Sequence, residues 1–306
     1  MDAFVFPGQG SQYPGMGKDL AGNFTIARLV FEEANDALGF DITTLCFSGS
    51  EDDLKLTANT QPAILTSSIA ALRVLQKETD LSPSFTAGHS LGEYSALVAA
   101  GALAFADAVR TVRQRGTYMQ EAVPVGVGSM AAIMGIEGED LVLLCQDAAE
   151  GEVVAPANFN SPGQIVIAGH TTAVERAIVL AKERGAKRAL LLPVSAPFHS
   201  TLMASAAQRL QLDLEAIHIY PLICPVVSNV AALPYQDESK VKSLLVEQVC
   251  APVRWDASIL KMKDLGVSRY VEIGPGNVLS SLIKRIDRSS TQQSIEDVAS
   301  LGRLQG

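Results

Sequence analysis

The sequence predicts an α/β fold, a hydrolase-like domain built on a mostly parallel sheet and interrupted by a small inserted ferredoxin-like domain. Three observations predict it. Short apolar runs alternate with amphipathic helical stretches, the rhythm of a mostly parallel sheet covered on both faces. One run, 84–87, passes through Gly88-His89-Ser90-Leu91-Gly92-Glu93 into a helical pattern at 94–100. That strand–turn–helix context makes G-x-S-x-G read as a nucleophile elbow. Between 129 and 194 the order becomes strand, helix, strand, strand, helix, strand, as in a ferredoxin-like unit.

The elements follow in order. Residues 3–6 form a first strand that runs into Pro7-Gly8-Gln9-Gly10-Ser11-Gln12, a loop of turn formers. Helices follow at 26–38 and 62–77, the second with Thr60 as its cap and Pro62 in its first turn. After the elbow, 105–123 is a long amphipathic helix, and the glycines and proline of 124–128 break the pattern as a hinge. The inserted unit has strands at 129–134, 153–158, 164–168 and 188–194, with helices at 140–149 and 172–184. From Pro197 the α/β pattern resumes: helix 201–217, strand 222–227, helices 239–249 and 255–265, strand 269–273 and helix 277–286. The polar tail after Asp287 is expected to be loose. The domains are thus 1–124 with 197–306, and 125–196.

Composition narrows the function. The 306 residues are 48% hydrophobic and 19% charged, a globular balance with enough chain for a large core. The longest apolar stretch, 96–106, is about half a membrane span, and the N-terminus lacks the pattern of a signal peptide. A cytoplasmic location and no membrane association are expected. A net charge of −9 argues against nucleic acid, and an acidic protein partner would need a local basic patch. The four cysteines have no C-x-x-C spacing and no histidine close by, so neither a disulfide framework nor a metal site is expected.

A serine nucleophile needs a base. The candidates are His89, His170, His199 and His218. His89 adjoins the serine and leaves the elbow in another direction, His170 sits in a turn, and His218 ends a helix. His199 lies just past the C-terminal end of an expected strand, where sites collect in open α/β sheets. No acidic residue stands out as a third member. A backbone carbonyl can orient an imidazole equally well, so a Ser–His dyad is admissible. On the helix 105–123, Arg115 flanks the apolar stripe beside Gly116. A guanidinium near the interior needs an anionic partner, either a protein carboxylate or a substrate carboxylate held in its two-pronged fork.

Seven blocks, in this order, resemble the malonyl-CoA:acyl carrier protein transacylase family of bacterial fatty acid synthesis. They are Phe6-Pro7-Gly8-Gln9-Gly10-Ser11-Gln12, Thr60-Gln61-Pro62-Ala63, Gly88-His89-Ser90-Leu91-Gly92-Glu93, Arg113-Gln114-Arg115-Gly116, Asn158-Phe159-Asn160-Ser161-Pro162, Phe198-His199-Ser200 and Glu272-Ile273-Gly274-Pro275-Gly276. The resemblance implies a Ser90 nucleophile, a His199 base and an oxyanion hole of the Gln9 and Leu91 main-chain N–H groups. It implies that Arg115 grips the malonyl carboxylate and that the Gln248 main-chain carbonyl orients the histidine. Gln61, Asn160 and Phe198 would line the pocket, and Lys187, Arg188, Lys284 and Arg285 would dock an acidic acyl carrier protein or a coenzyme A phosphate. It further implies malonyl-CoA as substrate, no permanently bound cofactor or metal, and a monomer. A carboxylesterase or thioesterase on the same elbow would usually have an acidic triad member and a histidine late in the chain, and would have no obvious use for Arg115. A carrier-binding subunit without activity would not need Ser90, His199 and Arg115 together. A polyketide-pathway acyltransferase of the same fold remains open. Phe198 before His199 resembles the malonyl-type pattern, in which the ring crowds an α-methyl group.

Overall fold

The computed structural model describes residues 1–194 and 196–305. Its strands are β1 Asp2–Phe6, β2 Phe85–Gly88, β3 Gly128–Met134, β4 Val154–Ser161, β5 Gln164–His170, β6 Arg188–Leu191, β7 Val226–Val227, β8 Pro234–Tyr235, β9 Arg269–Ile273 and β10 Thr291–Ile295. The larger sheet has the order β10-β9-β1-β2-β7-β8. Every pairing in it is parallel except β7 with β8. Alternation along β1 explains why both faces are covered. Phe4 and Phe6 enter a core with Phe31, Leu72 and Leu97, while Ala3 and Val5 meet Trp255, Ile259 and Met262 on the opposite face.

The smaller sheet is antiparallel, in the order β4-β5-β3-β6. The helices Gly138–Ala149 and Thr171–Glu183 cover one face through Leu141, Leu144 and Ala177 against Ile133, Ile165 and Ile167. Strand, helix, strand, strand, helix, strand in this order is the ferredoxin-like arrangement. Its other face carries Met130, Ala132 and Val166, which roof a cavity above the end of β2. Strand β4 is tied to the larger unit by Phe159 N–H to the Val253 carbonyl (2.9 Å) and Val253 N–H to the Ala157 carbonyl (2.8 Å).

Four expectations need correction. The tail after Asp287 is ordered: β10 pairs with β9 at the sheet edge, and the helix Val298–Gln305 follows. Ile295 and Leu301 are buried beneath this polar stretch, so backbone pairing and two anchors hold what composition suggested was loose. The strand expected at 222–227 shrinks to Val226–Val227 because Pro225 has no N–H for a ladder. The helix expected from Pro62 starts at Thr57. Thr60 does not cap it, since its hydroxyl turns back to the Leu56 carbonyl at 3.1 Å. The strand expected over 188–194 ends at Leu191.

Candidate active site

Strand β2 stops at Gly88, and the chain turns through His89, Ser90 and Leu91 into the helix Gly92–Ala99. Ser90 sits at φ 51°, in the left-handed region that a serine rarely occupies. The flanking glycines make this turn possible. A Cβ on Gly88 would lie 1.9 Å from the Gly92 backbone, and one on Gly92 would lie 2.1 Å from the Phe6 carbonyl oxygen. The backbone of Ser90 is held on both sides. Its N–H donates to Asn229 Oδ1 (2.7 Å), and its carbonyl accepts from Gln248 Nε2 (3.0 Å).

His199 is the one histidine of the four that reaches the serine, with 2.8 Å between Ser90 Oγ and His199 Nε2. It too is in the left-handed region, at φ 57°. Its Nδ1 lies 2.8 Å from the Gln248 carbonyl oxygen. A carbonyl can only accept, so Nδ1 carries the proton and Nε2 offers its lone pair to the Ser90 hydroxyl. No carboxylate is needed to fix that tautomer. Burial, aided by the Arg115 charge, pulls the imidazole pKa down to about 3. His199 is therefore neutral at neutral pH, the form a base requires.

The other three histidines lie elsewhere. His89 Nε2 is 2.8 Å from Asn160 Oδ1, its ring 5.8 Å from that of Trp255, and the residue forms cavity wall. His170 Nδ1 accepts from the Val153 N–H (2.9 Å), and His218 packs edge-on against Tyr220.

Arg115 projects from the helix Phe105–Glu121 and is only 1% exposed. Its Nη1 donates to Gln61 Oε1 (2.8 Å), and its Nη2 donates to Gln248 Oε1 (2.9 Å) and to Ser90 Oγ (3.1 Å). All three acceptors are neutral. Among the described residues no carboxylate stands at ion-pair distance from it, and its Nε has no hydrogen-bond partner. A buried guanidinium without an ion-pair partner is costly, and an incoming carboxylate beside Ser90 would relieve that cost.

These side chains line a cavity of about 280 Å³ together with Gln9, Leu91, Asn160 and Phe198. The main-chain N–H groups of Gln9 and Leu91 donate no hydrogen bond among the described residues. A developing oxyanion needs N–H donors that are not already engaged, and both residues line the cavity that holds Ser90. Gln248 does more than its backbone carbonyl suggests, because its side chain also bridges Ser90 and Arg115.

The four basic residues are all exposed, and none forms an ion pair among the described residues. Arg188 and Gln164 both pair across from Met134, at one end of the smaller sheet. Arg285 donates to Gln164 Oε1, and Gln164 lines the cavity. Arg285, and through the sheet register Arg188, thus lie on the Gln164 side of the cavity.

Sequence reasoning missed two residues. Asn229 follows β7, a strand paired parallel with β2, where the rule that sites collect past strand ends applies. Glu93 was visible in the elbow motif, but nothing in the sequence said that its carboxylate faces inward. It is fully buried, accepts from Gln248 Nε2 (2.7 Å) and Asn229 N–H (3.1 Å), and burial pushes it up to about 7.

Comparison with known proteins finds matches over nearly the whole chain. Residues 3–306 match the model of the acyl transferase domain family. A malonyl CoA-acyl carrier protein transacylase of Bacillus subtilis (strain 168) is 51% identical over 296 residues, 96% of this chain and 93% of that one. An acyl carrier protein S-malonyltransferase from Vibrio cholerae superposes with a TM-score of 0.97 at 48% identity, covering 99% of each chain. A malonyl-transacylase solved in complex with a type II PKS acyl-carrier protein gives 0.96 at 47% identity, over 98% of this chain and 97% of that one.

Proposed function

The chain belongs to the acyl transferase domain family, and from that premise we propose that it moves a malonyl group from malonyl-CoA to the phosphopantetheine thiol of acyl carrier protein through an ester on Ser90. One observation carries the choice of acyl group. Arg115 is a buried fork with only neutral acceptors, 3.1 Å from the nucleophile, where the carboxylate of a bound malonyl group would lie.

The chemistry follows from the placed atoms. Ser90 Oγ attacks the thioester carbonyl as its proton passes to His199 Nε2. Charge on the carbonyl oxygen is taken up by the Gln9 and Leu91 N–H groups. The C–S bond breaks, and the imidazolium returns the proton to the departing coenzyme A thiolate. A histidine held at such low basicity gives that proton up readily. When the malonyl carboxylate pairs with Arg115, the positive charge that depresses His199 is offset, so the base strengthens as the right substrate arrives. The carrier thiol then attacks the ester by the same steps in reverse. Thioester to ester to thioester is near balance, so the reading calls for no permanent cofactor or metal.

Lys187, Arg188, Lys284 and Arg285 are the docking surface in this reading, a local basic patch on a chain of net charge −9. We take 125–196 as the inserted unit that roofs the site, Asn160 and Gln61 as pocket wall, and Phe198 as the residue that crowds an α-methyl group. The working form is a monomer without affinity for nucleic acid. No helix among the described residues is long and apolar enough to cross a membrane, and the cytoplasm is the expected location.

A polyketide carrier is the second reading of the acceptor, favoured by the similarity to a transacylase solved with a type II PKS carrier. An esterase is the weaker alternative, because the Gln248 carbonyl rather than a carboxylate orients His199. Initial rates decide between transfer and hydrolysis. Transfer through Ser90 gives parallel double-reciprocal lines when malonyl-CoA and carrier are varied together. Coenzyme A release that ignores the carrier would make the protein a hydrolase.

A further inference from the structure

We infer that Glu93 is a positioning residue for this transfer: through Gln248 and Asn229 it holds the Ser90 turn and the Arg115 fork in register with each other. The inference rests on the malonyl-transfer reading and concerns the same site.

Glu93 lies one helical turn beyond Ser90, wholly buried in the first turn of the elbow helix. Packing alone would be served by an apolar side chain, and a buried carboxylate is costly. One of its oxygens accepts from both Gln248 Nε2 (2.7 Å) and the Asn229 N–H (3.1 Å), while the other has no partner. Each neighbour passes the constraint on. Asn229 accepts from the Ser90 N–H through Oδ1 (2.7 Å) and donates to the Gly88 carbonyl through Nδ2 (2.7 Å), gripping the turn at two points. Gln248 donates to the Ser90 carbonyl and presents Oε1 to Arg115 Nη2.

Amide orientation is the sensitive element. A glutamine amide fits either way round unless its partners decide. Glu93 accepts from Gln248 Nε2 and so keeps Oε1 turned to the guanidinium. Without an acceptor at position 93, the shortest of the Nε2 contacts is gone, and only the Ser90 carbonyl (3.0 Å) and the longer Asn229 Oδ1 contact (3.4 Å) oppose a flip that would set an NH₂ group against Arg115. The fork would lose an acceptor, and the serine turn would lose its link to the fork. His199 stays outside this chain of contacts, because its partner is the Gln248 main-chain carbonyl, which any residue at 248 supplies.

The test compares Glu93→Leu, Glu93→Gln and Gln248→Met with the wild type, each checked for fold by circular dichroism. The readout is kcat/KM for malonyl-CoA and for acetyl-CoA. The wild-type protein must first take up malonyl on Ser90 and discharge it to carrier. Failure there overturns the malonyl-transfer reading, whatever the variants do. Glu93→Leu is expected to lower malonyl kcat/KM by about tenfold or more and to lower the malonyl-to-acetyl ratio as well. Glu93→Gln, whose single amide oxygen can accept both bonds, is expected to stay within about threefold of wild type. If Glu93→Leu does not fold, Gln248→Met carries the same expectation. Folded variants with malonyl activity near wild type, an equal loss for both acyl groups, or a Glu93→Gln loss matching that of Glu93→Leu would each overturn the inference.

Discussion

Replacing Arg115 by methionine removes the charge and the fork while keeping a long side chain in a tightly enclosed place. Arg115 is 1% exposed, and its partners Gln61, Gln248 and Ser90 offer only neutral oxygens. In the proposed reading the substrate carboxylate is its ion-pair partner, and the pair would form out of water. Truncating one member of a desolvated, hydrogen-bonded charge pair costs about 2–5 kcal/mol. At about 1.4 kcal/mol per tenfold, malonyl kcat/KM should fall by roughly thirtyfold to a few thousandfold. Acetyl-CoA has no carboxylate to lose. Its rate should change only through the Arg115–Ser90 hydrogen bond, about 1 kcal/mol or severalfold, and through the rise in His199 basicity when the guanidinium charge is lost. Arg115→Lys keeps the charge without the fork and should fall between. The assay is coenzyme A release in the presence of carrier, run with each thioester on protein whose circular dichroism matches wild type. An equal fall for malonyl and acetyl in Arg115→Met would refute the reasoning and leave the arginine a role at the serine alone.

Four further outcomes are expected. His199 is held below its unfolded pKa of about 6.5, so the unfolded chain binds a proton that the folded one refuses. Stability from this residue is full above about pH 6.5 and shrinks as pH falls, by up to about 2 kcal/mol at pH 5, which denaturant midpoints across that range will read. The kcat/KM profile should show no break at an ordinary histidine pKa, and Arg115→Met should move its acid limb upward, since the guanidinium is one cause of the depression. Gly92→Ala puts a Cβ 2.1 Å from the Phe6 carbonyl oxygen, so it should cost about 1–3 kcal/mol or more in denaturant unfolding. A variant as stable as wild type would contradict the close approach of the elbow to β1. Lys284→Glu with Arg285→Glu should leave acylation of Ser90 by malonyl-CoA within about twofold but slow discharge to carrier by about tenfold at low salt, narrowing as salt rises. Stopped-flow discharge rates at two ionic strengths check this, and equal discharge at both would remove the pair from the docking surface.

The sequence carried the alternation of strands and helices, the elbow and the inserted unit, because each is a local pattern. G-x-S-x-G is legible because two glycines must lie where no Cβ fits. His199 does meet Ser90, but the strand before it, β6, ends at Leu191 in the antiparallel smaller sheet, so the strand-end rule for parallel sheets is not what puts it there. What escaped depends on contacts far apart along the chain. Asn229 and the Gln248 side chain reach Ser90 and Glu93 across sequence separations of more than one hundred residues, and no spacing rule links them. The tail was misjudged because β10 is polar and is held by pairing to β9, which composition does not register. The short β7 was overextended because an apolar run hid the effect of Pro225 on hydrogen bonding. The sequence shows that Arg115 needs an anionic partner, and only the three-dimensional arrangement shows three neutral oxygens around its guanidinium in place of a protein carboxylate.

The central claim is that Ser90 carries the malonyl group between two thiols. Intact mass spectrometry after mixing with malonyl-CoA alone tests it most directly, with acetyl-CoA and methylmalonyl-CoA in parallel and Ser90→Ala as control. The predicted result is a malonyl-sized adduct on the wild type, absent from Ser90→Ala, weaker from the other two thioesters and discharged by carrier. Steady release of coenzyme A with no adduct, or an adduct that survives in Ser90→Ala, would contradict it.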